Sequence, residues 1–194
     1  PETLARAYVA GGASAISVLT DVKHFGGSVA DLDAVHRAVD VPILRKDFTV
    51  SVTDVLDTAE MGASCVLLIV AALTSNELHE FFHVSRAIGL DALIEVHDEH
   101  EAAQAIDMGA TLIGVNQRDL HTFEVDAERA QRVAASLPGD VVRVAESGFH
   151  RSSAVREAAA AGFDAVLVGE AFVTSDDPAA MVRSFVGFDI GGGR

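Results

Sequence analysis

The sequence predicts an alternating α/β fold built on a parallel sheet, and three observations carry that prediction. Seven short runs rich in Val, Ile and Leu recur along the 194 residues and hardly alternate between apolar and polar. That is the pattern of strands covered on both faces. Helical patterns opened by capping residues lie between them. A glycine stands just ahead of most runs, where it can take the left-handed conformation that closes a helix before a tight turn.

The elements follow in order. Residues 1–10 read as a helix or part of one, and Gly12-Ala13-Ser14-Ala15 introduces the first run, 15–20. Ser28-Val29-Ala30-Asp31 resembles a capping box ahead of Leu32 and Val35, and the second run is 42–47. Gly62-Ala63-Ser64-Cys65 leads into the third, 65–70. Thr74-Ser75-Asn76-Glu77 is a capping box, followed by Leu78, Phe81, Phe82 and Ile88 at helical spacing. Gly89-Leu90-Asp91-Ala92 precedes the fourth run, 92–96, and Asp98 with Glu101 caps the next helix. Gly109-Ala110-Thr111-Leu112 opens the fifth run, 112–116. The sixth is 141–146, and Gly162-Phe163-Asp164-Ala165 opens the seventh, 165–169. Asp177-Pro178 fits a cap with proline at the first helical position. Residues 1–187 read as one domain, and the glycine-rich 188–194 as a flexible tail.

Composition narrows the function. Hydrophobic residues make up 49% of the chain and charged residues 22%, enough for a sizeable core and too apolar for disorder. The longest apolar run, 65–73, is too short to span a bilayer. No leader pattern opens the chain, and the lone Cys65 excludes an internal disulfide. Both point to the cytoplasm and away from a membrane. Fourteen basic residues against 29 acidic ones give a net charge of −15, the wrong sign for nucleic acid. An anionic substrate must therefore be held by local groups against the overall field.

Two architectures fit alternating strands and helices: an open doubly wound sheet and a closed (β/α)₈ barrel. No glycine-rich dinucleotide fingerprint follows the first run, which weakens the first. A barrel needs eight strands, one more than is visible. In either, ligands gather at the carboxyl ends of strands. Those ends hold Lys46-Asp47, Glu95, Asn116 with Arg118, Glu146-Ser147-Gly148 and Gly169-Glu170. Each has a plain structural reading. Lys46 beside Asp47 can be a surface ion pair worth at most ~1 kcal/mol, Glu95 a solvated strand tip, and Asn116 a turn residue. Together they suggest a rim of polar groups, with phosphate near Gly148 and Gly169 as in many barrels. His79 and His83, four apart, read as surface histidines, since no third metal ligand is evident. His97 and His100 sit in an acidic capping segment.

These residues resemble the indole-3-glycerol phosphate synthase family. The likeness is carried by Phe25-Gly26-Gly27-Ser28, Leu44-Arg45-Lys46-Asp47-Phe48, Glu95-Val96-His97-Asp98-Glu99, Gly114-Val115-Asn116-Gln117-Arg118-Asp119-Leu120, Ala145-Glu146-Ser147-Gly148 and Val166-Leu167-Val168-Gly169-Glu170. It runs from Pro1 to about Val186. The resemblance implies a (β/α)₈ barrel and tryptophan biosynthesis. The reaction closes a pyrrole ring on 1-(2-carboxyphenylamino)-1-deoxyribulose 5-phosphate, with loss of carbon dioxide and water and without cofactor or metal.

By the same resemblance, Lys46 is a general acid, Glu95 a base in the dehydration, and Asn116 a further catalytic residue. Asn116 and Arg118 orient the substrate, with Glu146 and Ser147 nearby. Phe25, Phe48, Leu67 and Leu120 form an apolar wall, and Gly148, Gly169 and Glu170 hold phosphate. The family also carries a first strand with a Glu-x-Lys pair and a Ser-Pro-Ser loop, and no such segment occurs here. The expectation is thus seven of eight strands, the first βα unit being incomplete, with open edges that invite self-association. A catalytically incompetent barrel, or another phosphate-binding barrel such as a sugar-phosphate isomerase or aldolase, stands as the alternative.

Overall fold

The computed structural model describes residues 1–118 and 126–187. Its strands are β1 (Ile16–Leu19), β2 (Ile43–Lys46), β3 (Cys65–Ile69), β4 (Asp91–Val96), β5 (Leu112–Asn116), β6 (Val142–Glu146) and β7 (Ala165–Leu167). Helices α1 (Glu2–Gly11), α2 (Val22–Phe25), α3 (Val29–Ala38), α4 (Val52–Glu60) and α5 (Ser75–Ala87) alternate with the first four strands. Helices α6 (Glu99–Asp107), α7 (Ala127–Ser136), α8 (Ser152–Ala160), α9 (Glu170–Val173) and α10 (Pro178–Phe185) follow. The chain divides into two compact units, Pro1–Ile94 and Glu95–Arg194.

Local chemistry sets the boundaries. Ser28, Thr74, Asp98 and Asp177 each accept a backbone N–H of the following helix, as their spacing predicts. Thr74 and Glu77 complete a reciprocal capping box. Ser51, Asp21 and Asp126 cap α4, α2 and α7 in the same way. The five glycines ahead of the runs, Gly12, Gly62, Gly89, Gly109 and Gly162, all have positive φ, between 74° and 102°. Two expectations are corrected. Ile88 does not continue the apolar face of α5 but caps its end, 43% exposed. The seventh strand stops at Leu167, because Gly169 already serves as the N-cap of α9.

In the first unit β1, β2 and β3 pair in parallel, with Val18 opposite Arg45 and Leu19 opposite Lys46. Strand alternation then sorts side chains between two faces. Ile16, Val18 and Ile43 pack with Ala5, Leu32 and Val35 of the covering helices. Arg45 shares their face and is 8% exposed. Its guanidinium donates to Thr20 Oγ1 (3.0 Å), Thr58 Oγ1 (3.1 Å), the Asp54 carbonyl (3.0 Å) and Asp47 Oδ2 (3.0 Å). The Asp47 carboxylate is thus engaged by a buried arginine, and a simple surface pairing with Lys46 does not describe it. Leu44, Lys46 and Leu67 alternate onto the opposite face.

In the second unit β5, β6 and β7 are parallel, with Asn116 opposite Glu146 and Glu146 opposite Leu167. The register places Asn116 and Glu146 on one face at one level. Arg143, at the other end of β6, donates to the carbonyls of Leu137 (2.7 Å), Pro138 (3.1 Å) and Gly162 (3.3 Å). It ties the loops at the amino ends of the strands.

Candidate active site

The carboxyl ends of β4, β5 and β6 converge on one hydrogen-bonded chain. Asn116 Nδ2 donates to Glu95 Oε1 at 3.0 Å. Asn116 Oδ1 accepts from Ser147 Oγ at 2.8 Å and from the Arg118 backbone N–H at 3.0 Å. The amide orientation is dictated by chemistry: its oxygen meets two donors and its nitrogen an acceptor. Glu95 and Glu146 are each 2% exposed. The solvated strand tip is therefore the wrong description of Glu95. Glu95 is thus a buried carboxylate whose Oε1 is held by an amide donor.

Next to this chain lies a pocket of about 200 Å³ lined by Arg118, Ser147, Gly148, Gly169 and Glu170, among others. Two backbone features shape it. Ser147 has φ 69° and Gly148 φ 79°. Ser147 is the only non-glycine with positive φ among the described residues, a strain of about 1–2 kcal/mol. Gly169 has φ −111°, open to any residue, and an added Cβ would meet nothing within 4 Å. Its own packing does not demand glycine. What a side chain there would displace is whatever occupies the space beside it.

In the first unit, Lys46 ends β2 on the face away from the helices. Phe25 and Phe48 stack at 6.2 Å between ring centroids and are 56% and 46% exposed. They form an exposed apolar surface, and Leu67 in β3 is buried. Leu120 lies outside the described residues.

His97 carries a contact that its capping-segment reading missed. Its Nδ1 lies 3.0 Å from Glu101 Oε2 and its Nε2 3.5 Å from Glu95 Oε1. The i, i+2 spacing of Glu95 and His97 across the end of a strand was the available signal. Burial pulls the imidazole pKa down, but the Glu101 hydrogen bond and the Glu101 and Glu95 charges outweigh it. Arg129 opposes them, and the net displacement is upward. Cys65 is the reverse case: burial pushes its thiol up to about 12, against a backbone hydrogen bond at Leu93 that pulls the other way, and Sγ makes a weak contact with the Val66 carbonyl at 3.6 Å. The His79 and His83 rings lie 6.3 Å apart, and no group of three or more potential metal ligands occurs among the described residues. No helix among them is long and apolar enough to cross a membrane.

Residues 1–185 match the model of the indole-3-glycerol phosphate synthase family. The chain belongs to that family. The curated indole-3-glycerol phosphate synthase of Micrococcus luteus is 51% identical over 185 residues, covering 95% of this chain and 69% of that protein. Those of a Parafrankia species and a Nocardioides species are each 50% identical, covering 96% and 97% of this chain and 69% and 73% of theirs. Among solved structures, 3-hexulose-6-phosphate synthase superposes with a TM-score of 0.76 at 16% identity, over 94% of this chain and 90% of its own. Thiamine phosphate pyrophosphorylase from Pyrococcus furiosus gives 0.72 at 18%, over 95% and 86%. At that identity the likeness shows the fold alone, an incomplete (β/α)₈ barrel with seven strands among the described residues. Membership of the indole-3-glycerol phosphate synthase family sets aside the isomerase and aldolase readings.

Proposed function

We propose that this chain performs the family reaction, converting 1-(2-carboxyphenylamino)-1-deoxyribulose 5-phosphate to indole-3-glycerol phosphate with release of carbon dioxide and water. The supporting observation is the Glu95–Asn116–Ser147 chain beside the pocket of Arg118, Gly148 and Gly169. Lys46 acts as general acid, giving a proton to the ribulose carbonyl oxygen as the ring carbon bearing the carboxylate attacks. Loss of carbon dioxide restores the aromatic ring. Glu95 then takes the proton from the adjacent carbon as the new hydroxyl, itself protonated, leaves as water, and the double bond so formed completes the pyrrole of the already closed ring. Two groups with different proton affinities are what such a two-step sequence requires.

Asn116 and Arg118 orient the substrate, with Glu146 and Ser147 adjoining them. The phosphate takes backbone N–H groups at Gly148, Gly169 and Glu170, which offset the repulsion of a chain carrying −15. The apolar wall for the anthranilate ring is assigned to Phe25, Phe48 and Leu67, with Leu120 given the same role by the family resemblance alone.

The test is direct. The chain has no Trp and one Tyr, so indole fluorescence rises on a dark background. Turnover of the carboxyphenylamino substrate by the purified chain is the expected result. No product, under conditions where the Micrococcus luteus relative yields it, overturns the proposal in favour of an incompetent barrel.

A further inference from the structure

The mechanism above leaves one buried polar contact without a task. His97 Nε2 is shielded from solvent and makes no hydrogen bond, yet Glu95 Oε1 lies 3.5 Å from it. The other side of the ring is firmly held. Glu101 Oε2 accepts from the His97 backbone N–H at 2.7 Å and meets ring Nδ1 at 3.0 Å. Glu101 is itself fixed, its backbone N–H donating to Asp98 Oδ1 at 2.8 Å.

The proton count follows from these contacts. A carboxylate oxygen on Nδ1 requires that Nδ1 carry the hydrogen. A neutral ring would then turn the lone pair of Nε2 toward a buried carboxylate, acceptor against acceptor. A second proton turns this repulsion into a charge-assisted contact. The charged groups acting on the ring are Glu95 near the end of β4, Glu101 on α6 and Arg129 on α7, which opposes them.

We propose that His97 is a positioning residue for Glu95: gripped by Glu101, its ring presents a cationic N–H edge that aims the Glu95 carboxylate and balances its charge. Asn116 holds the same oxygen, Oε1, from another side. The inference rests on the reading of Glu95 as the base.

Two measurements on the full chain test it. The first needs no turnover. Imidazole NMR, with His97 assigned by its loss in His97→Gln, follows the ring titration. Glu95→Gln and Glu101→Gln should each lower its midpoint; a midpoint unmoved by Glu95→Gln overturns the proposal. The second is kinetic. His97→Ala should reduce kcat by about tenfold with KM nearly unchanged, the worth of one charge-assisted contact. It should also move the acid limb of the kcat profile to higher pH. His97→Gln, which keeps an N–H but no charge, should recover part of kcat and leave the limb displaced. A His97→Ala enzyme with unchanged kcat, or with lowered kcat and an unmoved limb, overturns the proposal. If the parent chain does not turn over, the proposed function falls while the NMR titration still decides the His97–Glu95 pairing.

Discussion

Each unit holds a buried polar network at its strand ends, and the two differ in which face they use. In the first, Arg45 turns toward the helices and closes on Thr20, Asp47, Asp54 and Thr58, so its donors end on fixed protein acceptors. In the second, Glu95, Asn116 and Ser147 lie beside a pocket, held by a strained Ser147 and a helix-starting Gly169. The first network closes on itself, and the second borders open space where a ligand could sit. Residue type does not separate them, since both contain buried charge. The facing direction does, and one strand position is enough to reverse it.

Substitutions can break this contrast. The largest effect is expected at Glu95→Gln, which keeps the shape and the Asn116 contact but removes the base. kcat should fall by about 10²–10⁴-fold while the melting temperature holds or rises, because a buried charge is gone. Fluorescence turnover and thermal melting read both numbers. Arg45→Ala should invert that result. It strands the Asp47 carboxylate and costs about 3 kcal/mol in urea denaturation, with activity per folded molecule retained. Equal loss of activity in the two variants would erase the distinction. Gly169→Ala is the smallest and sharpens the second side alone. With open space for its Cβ, it should leave stability unchanged while KM rises about tenfold through one blocked phosphate contact.

Most of this arrangement was legible in the residues. Caps at Ser28, Thr74, Asp98 and Asp177 were readable because a short side chain followed by helical periodicity has one local solution. Strands were readable because both their faces are apolar. Strand-end alignment also pointed to Glu95, Asn116, Arg118 and Ser147 together. Arg45 was not legible: it stands beside Lys46, and its four acceptors come from residues 20, 47, 54 and 58, a gathering that only the folded chain produces. His97 was hidden for a related reason. A histidine between Val96 and Asp98 looks like part of a helix start, and its second contact, back to Glu95, depends on the pleat. Gly169 reads as the end of a strand in the sequence and is a helix cap in the structure, since neither periodicity nor propensity separates a last strand residue from a helix cap.

The thiol of Cys65 has a practical consequence. With burial pushing its thiol up to about 12, little of it is thiolate at neutral pH. It is also the chain's sole sulfhydryl. A maleimide dye should therefore react far more slowly at Cys65 than at an exposed cysteine introduced by design, so distances between chosen points can be followed with little background from this chain.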